Sequence, residues 1–307
     1  MGNLVIYCAG GAGTNIGKQI NDLDCDINYI DTSQSNLKGV KSDNIFVLEN
    51  IDGAGKDRSK TYDHFKHVAE DILIKFKPST SLNIVISSLS GGSGSIIAPM
   101  ITKELIQKGL NTIVIGVDSK HSVKEIDNTI KTLKTYKSIS DSTNKSISLF
   151  YIENSNRKES DLKAIWFITL LSLLVNKAHT SEFDTSDLSS FLEVEKVTDN
   201  KPNVCIIEIN ANDVIVPEKN TIIVGSILLT TDNNSTIKPA IPEYSTTCVV
   251  TDPQYKNEDI RMDSILGKLS IVIDGLQTEI NHLLDNKKIN KHKEVIIENS
   301  NKDGIVL

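Results

Sequence analysis

Arginine is scarce in this chain of 307 residues: of 33 basic side chains only Arg58, Arg157 and Arg261 are arginines. Nucleic-acid binding rests on clustered basic charge, so this scarcity and a formal net charge of −7 argue against a direct nucleic-acid partner. Arg157 and Arg261 read as solvated surface residues, which leaves Arg58 as the arginine placed to meet an anion. Cysteine forms no motif. Cys8, Cys25, Cys205 and Cys248 lack CxxC spacing, which excludes a zinc ribbon and suggests a reducing compartment. Cys8 and Cys205 fall in apolar runs, where a free thiol acts as a small hydrophobe. Histidines are dispersed, and His64 and His67 read as a wet helix face. Long hydrophobic runs are missing too. The most apolar, Ala164–Val175, is too short to span a bilayer and reads as a buried helix. No secretory leader is visible, so the expectation is a cytoplasmic protein without a membrane partner.

Glycine is placed with purpose. Asn83–Ser88 reads as a buried strand, SGGSGS (Ser90–Ser95) as a sharp turn, and Ser95 onward as a helix with Pro99 unusually far inside it. A strand, a glycine loop and a helix N-terminus make an anion site, because backbone N–H groups and the helix dipole face the anion. No lysine of the P-loop pattern is present. The first segment repeats the arrangement: strand Asn3–Ala9 runs into GGAGTNIGKQI (Gly10–Ile20), and a second strand ends at Asp31. That pattern also suits a dinucleotide-binding oxidoreductase with Asp31 on a ribose, although Gly11-x-Gly13-x-x-x-Gly17 departs from GxGxxG. A third loop, GAGKDR (Gly53–Arg58), follows a short strand at Ile45–Leu48 and precedes a helix from about Ser59 to Phe76.

Strands at Thr112–Val117 and Ser146–Ile152 and a helix around Lys124–Ser138 complete a doubly wound parallel sheet. All three glycine loops then gather at the carboxyl ends of its strands. A bulky residue at Gly92 or Gly94 is expected to fill the space a phosphate needs. Beyond lies a helix over Asp161–Lys177, strands at Val204–Ile209, Ile222–Leu229 and Thr246–Val250, and an amphipathic helix over Arg261–Leu284. From Asn286 the polar composition reads as a tail.

GGAGTN (Gly10–Asn15), GAGKDR (Gly53–Arg58) and SGGSGS (Ser90–Ser95), in that order and at these separations, resemble the glycine loops of the tubulin/FtsZ superfamily. The chain looks most like phage-encoded tubulins of the PhuZ type. The resemblance implies an α/β fold with four parts: a GTP-binding domain over 1–156, a central helix over 157–180, a smaller α+β domain over 181–285, and a C-terminal tail over 286–307. It implies GTP or GDP held by Gly11, Ala12, Gly13, Thr14, Asn15, Gly53, Ala54, Gly55, Arg58, Gly91, Gly92, Ser93, Gly94 and Ser95, with Mg²⁺ on the phosphates and its protein ligands unassigned. Asn154 and Asp161 fall where the family contacts the guanine base. Asp184 and Asp187 match its DxxD pattern, which serves the neighbouring subunit's nucleotide, although both also suit a helix cap. The implied function is a GTPase that polymerises head to tail, a phage cytoskeleton in the bacterial cytoplasm positioning phage DNA. The apolar end Ile305–Leu307 would dock on the next subunit. A nucleotide-bound scaffold that does not hydrolyse remains an alternative, as does the oxidoreductase.

Overall fold

The computed structural model describes residues 3–48, 55, 58, 68–176, 184–211, 218–230, 237, 246–251 and 259–302. Strands form where the chain has short, β-branched apolar runs, which fit a pleated surface buried on both faces. They are β1 (Leu4–Ala9), β2 (Asp26–Asp31), β3 (Ile45–Val47), β4 (Leu82–Ser88), β5 (Thr112–Val117) and β6 (Ile147–Ile152), then β7 (Val204–Ala211), β8 (Ile222–Thr230), β9 (Thr246–Thr251) and β10 (Ile260–Leu266). All ten join one sheet in the order β3-β2-β1-β4-β5-β6-β7-β10-β8-β9. Pairing is parallel from β3 to β7. β10 runs antiparallel to both β7 and β8. Strand order reverses between β1 and β4, and in open α/β sheets a binding crevice opens there, beyond the carboxyl ends.

The helices are α1 (Gly10–Gly17), α2 (Ala69–Lys75), α3 (Gly94–Gln107), α4 (Val123–Thr143), α5 (Arg157–Asn176), α6 (Thr185–Leu192), α7 (Val194–Val197) and α8 (Lys268–Lys302). α1 and α5 cover one face, where Ile16, Phe167 and Leu171 pack with Ile6, Ile84 and Ile86. On the other, α3 sets Ile97 and Ile101 against Val5 and Val85, while α4 and α8 enclose Val114 and Leu149. The start of α4 is fixed by Ser122, whose side chain accepts from the Glu125 amide, and its end by Asn144 in the left-handed conformation.

Three expectations are corrected. The first glycine loop, Gly10–Asn15, is already helix, part of α1. Residues from Ile260 to Leu266 form a strand, and the helix starts only at Lys268. Arg261 is accordingly not on the surface: it is fully buried, and its Nε donates to both Asp263 oxygens at 2.8 and 3.1 Å. A period-2 strand puts residues 261 and 263 on one face, so each charge satisfies the other. The third correction concerns the polar run from Asn286, which continues α8 as far as Lys302.

β6 and β7 pair over only three positions, Ile147↔Val204, Ser148↔Cys205 and Leu149↔Ile206. Beyond them the strands part around a cavity of about 220 Å³. Phe150 and Tyr151 line one side and Ile207–Asn210 the other, with Trp166 of α5 and Val272 of α8 closing it.

Candidate functional site

β1 ends at Ala9 and the chain turns on Gly10, whose φ of +71° favours glycine, straight into α1. Gly10, Gly13 and Gly17 follow at helical spacing and lie against backbone or core. A Cβ on Gly13 would stand 2.5 Å from the Ile86 carbonyl oxygen, and one on Gly17 2.5 Å from Cys8 Sγ. Their missing side chains let α1 settle onto β1 and β4. Gly11 and Ala12 are left facing outward.

The second glycine segment is built around α3. Ser95 Oγ donates to the Gly91 carbonyl at 2.5 Å and to that of Gly92 at 3.2 Å, which folds the loop onto the first turn. From α4, Asn128 Nδ2 donates to the Ser90 carbonyl at 3.1 Å and Thr132 Oγ1 to that of Leu89 at 2.8 Å. A Cβ on Gly94 would lie 2.7 Å from the Ala9 carbonyl oxygen, and one on Gly10 2.8 Å from Gly94 N. Gly94 is therefore small to admit the neighbouring backbone, a different reason from the space for a phosphate that its sequence suggests. At Gly91 the nearest atom to a Cβ is Ser88 Cβ at 3.6 Å, an ordinary contact.

Neither helix start is capped by a side chain: Ala9 precedes α1 and Ser93 precedes α3 without such a bond. The first amides of a helix have no intrahelical acceptor, and here two sets of them meet one cleft of about 300 Å³. Residues 9–12 line one wall, Ser88 and Gly91–Gly94 the second, Gly55 the rim, and Asp31, Thr32, Ser33 and Asn36 the third. That third wall was not anticipated as a whole; its only signal is the polar run following β2. Asp31 is buried, and burial raises its carboxyl above the ordinary range. Its oxygens accept from Thr32 N at 2.7 Å, Ser33 N at 3.2 Å and Asn36 Nδ2 at 2.8 Å. A carboxylate turned into its own loop in this way is poorly placed to bind a ribose. Thr32 Oγ1 and Ser93 Oγ, 2.7 Å apart, tie this wall to the second glycine segment.

On the flank of α1 the start of α5 comes close. Gln19 Nε2 donates to the Asn15 carbonyl at 2.9 Å and to Asp161 Oδ2 at 3.0 Å. Asn15 and Asp161 are thus gathered by Gln19, which sequence reading passed over; it lies one helical turn beyond Asn15. Asn154 is held from both sides: its amide donates to Asp118 Oδ1 at 2.9 Å and its Oδ1 accepts from Ser160 Oγ at 3.2 Å. Asp118 also accepts from Tyr151 Oη, and burial raises its carboxyl as well. It braces the ends of β5 and β6 and the chain that enters α5.

Thr14 and Arg58, expected at the cleft, are not brought to it. Thr14 is fully buried, with no partner for its hydroxyl among the described residues. Arg58 turns toward α3 and α4 instead of lining the cleft. Gly53 and Ala54 lie outside the described residues. Asp184 and Asp187 open α6 as a reciprocal cap. Asp184 Oδ1 accepts from the amides of Ser186 at 2.7 Å and Asp187 at 3.0 Å, while Asp187 Oδ2 accepts from Asp184 N at 2.9 Å. Among the described residues no group of three or more histidines, cysteines and acids could hold a metal, and no helix is long and apolar enough to cross a membrane.

No protein-family model matches the chain. A phage tubulin-like protein of Pseudomonas phage PhiPA3 is 31% identical over 212 residues, covering 67% of this chain and 66% of that protein, so the chain spans about two thirds of its relative's length. Among solved structures, the protofilament of TubZ from bacteriophage PhiKZ superposes with a TM-score of 0.82 at 24% identity, covering 94% of this chain and 93% of that one. The GDP-bound phage tubulin PhuZ gives 0.82 at 21% identity, with the same two coverages.

Proposed function

Because the chain belongs to the tubulin/FtsZ superfamily and is most like its phage-encoded members, we propose that its cleft binds GTP and that copies stack head to tail into a GTP-hydrolysing filament. The observation that carries the nucleotide reading is the meeting of two uncapped helix starts, α1 and α3, at the strand-order reversal. Amides of Gly11 and Ala12 and of Gly94 and Ser95 then serve the phosphates, with the hydroxyls of Thr32 and Ser93 beside them. Hydroxyls with few free carboxylates suit Mg²⁺ as nucleotide sites use it, bound largely by phosphates and water; when bound it would neutralise phosphate charge. Asn154 and Asp161 are the residues assigned to the base, with Asn15 gathered beside Asp161 by Gln19. The GDP in the phage tubulin PhuZ and the protofilament arrangement of its relative support this reading. The role that follows is a phage cytoskeleton positioning phage DNA in the bacterial cytoplasm, with residues 303–307, which lie outside the described ones, gripping the next subunit.

Two measurements test the reading. Denaturing the purified protein should release a guanine nucleotide, whereas a nicotinamide cofactor would overturn it. Sedimentation should rise on adding GTP, and a protein that stays in the supernatant would remove the filament. Base choice is tested separately through Asp161, whose carboxylate can accept from both N1–H and the exocyclic amine of guanine. Asp161→Asn loses one acceptor, a mismatch of about 1–3 kcal/mol. GTP affinity by calorimetry should fall roughly tenfold or more, with xanthosine and inosine triphosphates less affected. Equal loss for all three would make Asp161 a helix-end acid and nothing more.

A further inference from the structure

The cavity where β6 and β7 part runs through the sheet from one helix layer to the other. Strand residues alternate between faces, so Phe150, Ile207 and Ile209 look toward α5. Tyr151 and Asn210 look toward α8, beside Glu208, whose carboxylate meets Lys268. The mouth on the α5 side carries Trp166, 39% exposed and the only tryptophan of the chain. Lys163, one turn before it, places Nζ 5.9 Å from the centre of the Phe150 ring. Two donors on these walls have no acceptor among the described residues. No carboxylate pairs with Lys163: Lys268 takes Glu208 and Glu218, and Glu159, one turn before Lys163, accepts from Asn156. Asn210 Nδ2 is buried without a hydrogen-bond partner, a state that costs free energy until an acceptor is supplied. The strand edges add to this. Ile147 N donates to the Asn203 carbonyl, so alternate residues of β6 turn their backbone to β7. Tyr151 and Ile209, beyond the last rung at Leu149↔Ile206, therefore turn theirs into the gap.

Aromatic walls with donors that lack acceptors suit an aromatic ligand that brings acceptors. The volume of about 220 Å³ falls below the range of about 300–1,000 Å³ typical of ligand pockets, which restricts the ligand to a single ring. We infer that this cavity binds a small aromatic acid. Its carboxylate meets Lys163 at the α5 mouth, its ring lies against Phe150 and Trp166, and an oxygen at its far end accepts from Asn210. The site is separate from the cleft and does not rest on the nucleotide reading. Trp166 reports on it directly, so the test is a titration of the full chain followed by tryptophan emission, excited where the probe does not absorb. With 4-hydroxyphenylacetate the emission should change and saturate. The uncharged 4-hydroxyphenylacetamide should bind about fivefold or more weakly, since it forfeits a charge-assisted contact. Phenylacetate, without the far oxygen, should bind about threefold more weakly than the phenol. Lys163→Met, an exposed position, should bring acid and amide to the same affinity. Asn210→Leu should erase the advantage of the phenol over phenylacetate and leave the preference for acid over amide intact, a split that a general loss of packing would not produce. An emission change that never saturates, equal binding of acid and amide by the wild type, or undiminished binding of the acid by Lys163→Met would each overturn the inference.

Discussion

Valine at Gly13 should lower the unfolding midpoint sharply, whereas alanine at Gly91 should leave the unfolding transition unchanged. The difference lies in what each side chain would strike. At Gly13 a Cβ would approach the Ile86 carbonyl oxygen at 2.5 Å and the Cys8 carbonyl carbon at 3.0 Å. Both are backbone atoms of central strands β1 and β4, whose residues are almost all buried, and neither can step aside without breaking a ladder. Overpacking a tight core costs about 1–3 kcal/mol and sometimes more. Two further methyls against fixed backbone put Gly13→Val at the upper end, a large share of a typical stability of about 5–15 kcal/mol. Urea denaturation followed by circular dichroism gives the comparison. A Gly13→Val protein with the wild-type midpoint would mean that α1 is not seated on the sheet as described. Gly94→Val belongs with Gly13, since it meets the Ala9 carbonyl, whereas Gly91→Ala tests the cleft without testing the fold.

Asp187→Asn should produce filaments that form and do not turn over. The reciprocal cap at α6 means that Asp187→Ala would remove a capping partner together with any catalytic carboxylate, at about 0.5–2 kcal/mol for the cap alone. Asparagine keeps an acceptor for the Asp184 amide and removes only the charge. The cap engages Oδ2 of Asp187, so capping and orienting a water from the other oxygen are compatible. α5 spans about 30 Å over its 20 residues, and the chain reaches Asp184 only after it, which favours service to a neighbouring copy in an open head-to-tail assembly. Orientation of a water by a base is worth about 10²–10⁴-fold in rate. Phosphate release per subunit should fall by that range in Asp187→Asn, with GTP affinity and sedimentation retained. Wild-type turnover should rise steeply above a critical concentration. A flat dependence on concentration, or normal hydrolysis by the variant, would take Asp187 out of the reaction.

Much of the parallel sheet is legible in sequence because its strands are short apolar runs between turn residues; the reading of β5 as Thr112–Val117 coincides with the structure. What misleads is local composition overridden by tertiary packing. Gly10–Gly17 has poor intrinsic helix propensity, and becomes helix because only a side-chain-free face can approach β4 so closely. β10 is hidden by Arg261 and Asp263, two charges on one face of a strand, which break the apolar alternation while pairing in the interior. In the cleft the glycines and serines announce themselves by type and spacing. Thr32, Ser33 and Asn36 do not, since an ordinary polar loop after a strand has the same composition. Gln19 is silent for another reason: its partner Asp161 is 142 positions away, and only the fold sets them side by side.

The parting of β6 and β7 has a mechanical consequence. β1 and β4 are joined over six positions, as are β7 and β10, but the seam between these two halves of the sheet has three. The edge pair β2–β3 also has three, so among the seams inside the sheet this one has the fewest rungs, and torque between the two halves would concentrate there. The cleft rides on one lever arm, and the strands against which α6 packs ride on the other. A small rotation about the three rungs would swing Asp184 and Asp187 through an arc while each half keeps its internal ladder. Load applied along a stack of such subunits would be taken up as twist at a single line in each.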